Sequence, residues 1–422
     1  MAGEPCFIGL PLGNRARERK TLVITMEIKR LGNQLSIPPR NSSFKGRVSQ
    51  LEQIHQALFE DPRSTCICVL SGLAGIGKTQ IALEYVHQYR DAYEFVFWAD
   101  ASDPTLLPAT FKRFGGAMGI PYHRRRKFPS LLQEIHRWMQ HHANWLIVFD
   151  GARPEAFLHW DNEEEDISRF WPTRHQGRVL ITTRARTSWY RTIDVPALQE
   201  EETIDLLVQR AGSVDRTDVP NVHNESLRPI IADLAGIPLA IDQVGAWISE
   251  HGWTFSDLLE DYGSTKYLLL AARGALHEGH PESMLEALSH EVRWLGREYP
   301  EAVSLLKFCS QLAPVPISEG LIQYGAAAVL PALQEAARGG FYINQIFVPL
   351  LRQSLISRQE REKTFTIHPL VVLSIVSTLS SRERAVWAKL VAQALDLAMG
   401  HAQKQGFLHY LLPHIAHSKA VS

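Results

Sequence analysis

The stretch VLSGLAGIGKTQIALEY (69–85) limits the fold of this chain more than any other. Gly72 and then Gly77-Lys78-Thr79 follow an apolar run and lead straight into a helical spacing. The order strand, glycine-rich turn, helix belongs to α/β layouts in which helices cover a parallel sheet. Glycines let the backbone curl so that successive N–H groups converge, and the helix N-terminus adds its positive dipole end. A loop of this kind is shaped for phosphate. Its chemistry puts Lys78 at the β and γ phosphates and the Thr79 hydroxyl on Mg2+, with Gly72, Gly75, Gly77 and Gln80 in the same nucleotide-binding loop.

The flanking segments continue the pattern. STCICVL reads as a strand, TQIALEYVHQY as a helix, FVFWAD as a strand and LLQEIHRWMQHH as a helix. WLIVFD and RVLITTR are two more short apolar strands. Strands rich in Val, Ile and Phe that alternate with helices predict a parallel sheet with helices on both faces. Ahead of the loop, Val48, Leu51, Ile54 and Leu58 keep a helical spacing.

From about residue 198 the pattern turns helical, through QEEETIDLLVQRAG, ESLRPIIADLAG, IPLAIDQVGAWISEHG and TFSDLLEDY. Beyond a linker, MLEALSHEVRWLG and EAVSLLKFCSQLA are helical, and SLISRQEREKTFTIHP reads as helix end, turn and short strand. A mostly helical unit with one small hairpin fits a winged helix. The expected organisation is a poorly structured leader (1–36), a P-loop nucleotide-binding domain (37–197), a helical domain (198–270), a linker (271–283), a winged-helix domain (284–381) and C-terminal helices (382–422).

Two further positions join the phosphate loop. Asp150 ends the WLIVFD strand, where a carboxylate can hold magnesium opposite Thr79. Alone, it reads more commonly as an aspartate capping the next turn. Arg184 ends RVLITTR at the carboxyl edge of a strand, the edge where open α/β sheets bind ligands. There its guanidinium can read a γ-phosphate through a forked contact, or it can be a solvated arginine. Asp150 and Arg184 are the candidate catalytic pair, and Thr79 and Asp150 the candidate metal ligands.

Composition removes other classes. Forty-four basic against 45 acidic residues leave no net field to draw nucleic acid or an anionic membrane. The basic HRRRK (123–127) lies near the acidic DNEEED (161–166) and reads as a solvated loop, so nucleic acid is not an expected partner. The four cysteines form neither a CxxC nor a dense framework, which favours a reduced, cytoplasmic setting. Cys66 and Cys68 share one strand face and read as core filling. The longest uncharged stretch, TFTIHPLVVLSIVSTLSS, carries Pro369, His368 and several hydroxyls, and reads as a buried helix rather than a membrane span.

Taken in order, the segments resemble the NB-ARC group of STAND nucleotide switches, the core of NOD-like receptors, in its fungal form. NSSFKGR resembles the F-x-G-R motif, GLAGIGKTQIALEY the phosphate loop, FVFWADAS the next strand, WLIVFDGA the magnesium strand and GRVLITTR the sensor strand. LAGIPLAIDQVGAWI (234–248) resembles the G-L-P-L helix and FTIHPLV (365–371) the winged-helix histidine motif. The resemblance implies that Arg47 lies near adenine, Pro238 packs on the nucleoside and His368 reaches the β-phosphate of ADP. Taken alone, His368 reads as an ordinary structural histidine.

Departures also stand out. Gly151 replaces the Asp or Asn common after the first acid, and the last motif reads Ile-His-Pro rather than Met-His-Asp. No recognisable effector domain precedes residue 37, and the C-terminal segment resembles a lead-in to helical repeats. The resemblance implies an ATP/ADP switch with Mg2+, at most a weak ATPase, that associates with itself or with other signalling proteins. A remodelling-type ATPase and a degenerate nucleotide-binding scaffold are the alternatives. The first predicts an acidic base after Asp150.

Overall fold

Among the described residues, nine strands make two sheets: β1 (Gln34–Leu35), β2 (Cys66–Ser71), β3 (Phe95–Asp100), β4 (Trp145–Ala152), β5 (Arg178–Thr183), β6 (Arg191–Asp194), β7 (Ile317–Ser318), β8 (Ile356–Gln359) and β9 (Thr364–Ile367). The computed structural model describes residues 34–35, 37–41, 44–59, 66–120, 127–153, 167–172, 176–185, 190–212, 227–271 and 283–421. The larger sheet has the order β1-β3-β4-β5-β2-β6. β1 pairs parallel with β3, and β3 runs parallel to β4 in a register that ends with Asp100 opposite Asp150. Every residue of β2 and β5 is buried, as are Trp145–Phe149 of β4. Strands covered on both faces need continuous apolar runs, not alternation, and this is why CICVLS and RVLITT are legible as strands.

Contacts divide the chain into two compact units, with the boundary falling inside β2 and β5. The first holds residues up to 43, 51–68 and 82–181. Its core is aromatic: Phe97, Phe111, Phe114, Phe149 and Phe170 are all essentially inaccessible. Phe111 and Phe114 come from the Leu107–Ala117 helix, which the sequence reading passed over. Cys66 and Cys68 are buried, and desolvation pushes the Cys68 thiol up to about 12. They fill core, as expected.

The second unit holds residues 44–50, 69–81 and 182–422. Its helices include Glu200–Ala211, Arg228–Leu234, Pro238–His251 and Phe255–Ala271, then Met284–Glu298 and Pro300–Cys309. Helices Gly340–Arg352, Pro369–Thr378, Ser381–Gln405 and Leu408–Val421 follow. Three starts carry reciprocal capping boxes, Gln199/Glu202, Ser283/Glu286 and Ser380/Glu383, in which side chains satisfy the orphan N–H groups of the first turn. The small sheet, β7-β9-β8, is antiparallel.

The structure corrects the sequence reading at three places. Residues 356–359 are strand β8, not a helix end: Ser354 has φ +56, which stops the preceding helix, and Ile356 then pairs across to Ile367. TFTIHPLVVLSIVSTLSS is not one helix but β9 followed by the Pro369–Thr378 helix. Pro369 lacks an N–H and fits the first helical position, so the chain changes structure there. The end of the expected leader contributes β1 to the sheet. Among the described residues, no helix is long and apolar enough to cross a membrane. The rest of the leader (1–33), residues 123–126 of the basic cluster, DNEEED and linker positions 272–282 lie outside the described residues.

Candidate functional site

β2 ends at Ser71, and the chain then turns through Gly72, Gly75 and Gly77 with φ of +154°, +73° and +96°. Side chains rarely adopt such angles, so the glycines are a requirement of the path. Lys78 opens the helix Lys78–Gln88, placing Lys78, Thr79 and Gln80 in its first turn. A helix N-terminus presents its positive dipole end there, which suits an anion. Gly75, Gly77, Lys78, Thr79 and Gln80 are each half-buried. The Lys78 ammonium donates to the Gly72 carbonyl at 2.8 Å and the Leu73 carbonyl at 3.0 Å, so it folds over its own loop.

The loop is braced by the segments named in the resemblance. Arg47 is buried with φ +60, and donates to the Pro196 carbonyl at 2.7 Å and toward the Ile76 carbonyl at 3.5 Å. Burial lowers its pKa and Glu202 partly restores it, so it brings a desolvated cation to the back of the loop. Val195 donates its N–H to the Ser71 carbonyl at 2.8 Å, and Leu198 to the Gly236 carbonyl at 2.8 Å. A Cβ on Gly236 would meet the Leu198 carbonyl oxygen at 2.3 Å.

Gly236-Ile237-Pro238-Leu239 form the turn into the Pro238–His251 helix, with Ala235 and Gly236 both left-handed. The Leu239 N–H donates to the Gly75 carbonyl at 3.2 Å. The Pro238 ring lies 3.8 Å from where a Cβ on Gly77 would stand. On the other side of the same turn, His368 hydrogen-bonds the Ala235 backbone. Its Nδ1 accepts the Leu370 N–H at 3.3 Å, so the ring is neutral with its proton on Nε2. Burial drives the His368 pKa down to about 4, the Ala235 bond opposing.

Arg184 follows β5 and forms an ion pair with Glu291 of the Met284–Glu298 helix. Arg47, Gly72, Gly75, Gly77, Lys78, Thr79, Gln80, Arg184, Pro238 and His368 all fall in the second unit. Asp150 falls in the first. It is half-buried near the carboxyl end of β4, and its carbonyl accepts the Ala101 N–H at 2.8 Å. Gly151 follows at φ +73, a conformation that a side chain strains. The missing second acid therefore has a backbone correlate.

Two carboxylates escaped the sequence reading. Asp100 lies in register with Asp150, though Ser102 holds its Oδ1 through N–H and hydroxyl bonds of 2.9 and 2.6 Å. Strand ends DA and DG gave a signal for the pairing, had the two strands been set side by side. Glu291 gave none, being 107 residues from its partner.

The order of these segments is matched by a known family. The family model described as NB-ARC domain matches residues 47–215. Residues 47–215 form an NB-ARC domain. It is a nucleotide-binding P-loop NTPase module, and it takes in Arg47, the phosphate loop, Asp150 and Arg184, while Pro238 and His368 lie beyond the match. The chain is 24% identical over 368 residues to a nucleotide-binding leucine-rich repeat (NLR)-like protein of Hyaloscypha variabilis, covering 81% of this chain and 36% of that protein. It is 22% identical over 346 residues to the regulatory protein AfsR of Streptomyces griseus, covering 77% of this chain and 34% of that protein. The chain thus spans about a third of the length of these curated relatives. Among solved structures, it is similar to the Aeropyrum pernix ORC2 protein at 14% identity and a TM-score of 0.44, over 89% of this chain and 98% of that one.

Proposed function

We propose that the chain is a nucleotide-operated switch in signalling, held closed by ADP and opened by exchange for ATP. The observation that carries this reading is the turn Ala235–Leu239, bonded to the phosphate loop through Gly75 and to His368 through Ala235. A nucleotide on that loop would lie beside an element already linked to the C-terminal half of the unit. A ligand shifts a conformational equilibrium only by its differential affinity for the two states. In this reading His368 favours the diphosphate, Arg184 reads the third phosphate, Pro238 packs on the nucleoside and Arg47 lies near adenine.

The residues fit the group they would hold. Three left-handed glycines, a lysine and a helix start suit a polyphosphate. The hard oxygens of Thr79 and Asp150 are of the type Mg2+ takes, and the ion would neutralise phosphate charge. Gly151 supports slow hydrolysis at best, because no acid stands there to activate water.

The parts would be a nucleotide-binding domain at 37–197, a helical domain at 198–270 and a winged helix at 284–381, whose wing is the β8–β9 hairpin. A cytoplasmic setting and self-association or other signalling partners complete the proposal. The nucleotide that co-purifies tests it. Chromatography of the denatured protein should release close to one ADP per chain. An empty site, or sustained turnover above about one per second, the ordinary enzyme range, would refute it.

A further inference from the structure

We propose that Glu291 sets which nucleotide the NB-ARC domain favours, by holding Arg184 until a third phosphate takes it. The proposal rests on the nucleotide-site reading above and names the residue that regulates that site.

The Met284–Glu298 helix buries Met284, Leu285, Ala287, Leu288, Glu291 and Leu295. Glu291 is the one charged group in this set. Residues 284, 288, 291 and 295 follow the i, i+4, i+7, i+11 spacing of a single helix face. A carboxylate in an apolar row is tolerated only when a partner offsets its lost hydration. Arg184 is such a partner: the Glu291 side chain is 7% exposed and that of Arg184 is 36% exposed. The pair is thus buried at the acid and open at the base. Arg184 has solvent on one side and can be drawn to a new anion; Glu291 cannot follow it without moving its helix.

A diphosphate leaves this pair in place. A triphosphate offers Arg184 a second, multiply charged acceptor, for which guanidinium geometry is suited. Taking it strands Glu291 in its apolar row, so the helix must withdraw or turn until the carboxylate is hydrated. That helix carries more than the latch. Its first residue places the Met284 sulfur 2.8 Å from where a Cβ on Gly75 would stand, and the Met284 N–H donates to Gln243. Ser289 meets Ser374 at 3.3 Å, on the helix that His368 begins. Releasing Glu291 therefore disturbs the phosphate loop and the His368 helix together.

The test uses the full chain, stripped of nucleotide, with Kd for ADP and for a non-hydrolysable ATP analogue measured by calorimetry in Mg2+. Glu291→Gln should tighten the analogue by about tenfold, within the range of ordinary coupling energies, and change ADP less than about twofold. Glu291→Met, which fills the same row without a charge to satisfy, should do the same and keeps the test sound if the glutamine variant folds poorly. In an Arg184→Ala background, either change should have no further effect on the analogue. Without nucleotide, amide exchange across residues 285–296 should quicken in Glu291→Gln. An unchanged preference in both variants, or equal tightening of both nucleotides, overturns the proposal. Failure of the underlying site reading looks different: the wild type then binds neither nucleotide, and the proposal falls with it.

Discussion

Leu239 donates its backbone N–H to the carbonyl of Gly75, joining the first turn of one helix to the apex of the phosphate loop at 3.2 Å. The contact involves main chain on both sides, so it does not depend on the rotamer of any side chain. It ties the loop directly to the turn before Pro238.

Lys78→Ala should abolish nucleotide retention. The ammonium is the one side-chain cation within the glycine loop, and its present acceptors are the loop carbonyls at 2.8 and 3.0 Å. Losing a charged contact to a polyphosphate costs about 2–3 kcal/mol, or more than thirtyfold in affinity. Purified variant that still carries stoichiometric ADP would place the phosphate elsewhere.

Gly236→Ala should cost more than the left-handed penalty of about 1–2 kcal/mol that a Cβ ordinarily incurs. Its φ is +65, and the new methyl would sit 2.3 Å from the Leu198 carbonyl, a backbone atom that cannot step aside. Thermal unfolding would show a large drop in Tm or no soluble protein. A Tm within about 2 °C of wild type would mean that the turn before Pro238 is looser than its geometry implies.

His368→Ala should weaken ADP and shift the protein toward larger species on a sizing column. The ring is bonded to the turn at Ala235, so its loss removes one of the contacts between the C-terminal half of the unit and the phosphate-loop side. No change in either ADP affinity or elution would confine His368 to helix capping.

Acid should destabilise the fold through the same residue. Its folded pKa is about 4 against an ordinary 6.5, so the unfolded chain takes up the proton first. The stabilising effect of the neutral ring is complete above pH 6.5 and declines as pH falls toward 4. The whole effect is at most about 3 kcal/mol, at 1.36 kcal/mol per unit. Urea midpoints between pH 7 and pH 4 should fall less steeply in His368→Asn, which keeps an amide without titrating. Parallel curves would assign the acid sensitivity to other groups.

Gly151→Asp should not create a fast ATPase. The position lies at φ +73, so the new carboxylate arrives on a strained backbone, with a penalty of about 1 kcal/mol. Single-turnover hydrolysis should remain within about tenfold of wild type while Tm falls slightly. A jump in turnover would show that the absent acid alone kept hydrolysis slow.

Much of this was legible because burial on two faces writes itself into composition. CICVLS, FVFWAD, WLIVFD and RVLITT each carry an unbroken apolar run with polar residues only at the ends, and form strands within a residue or two of where that run predicts them. The phosphate loop was legible because its glycines answer a backbone demand. The hairpin is less so: Ser357, Arg358 and Gln359 of β8 suggest a surface helix end until Phe365 and Ile367 are placed opposite. β1 is too short to carry a period of its own. The partner of Arg184 is invisible for a different reason: an ion pair to Glu291 joins residues 107 apart and leaves no local trace.

The bond from the Leu370 N–H to the His368 ring has one more consequence. The same imidazole nitrogen that starts a helix would lose its lone pair to a proton, and would leave its place if the ring were pulled away. Either event leaves the first amide of that helix unmet. In the switch proposed above, loss of the ring from its place would therefore act as fraying: the beginning of that helix would come undone, and whatever packs on its first turn would be released with it.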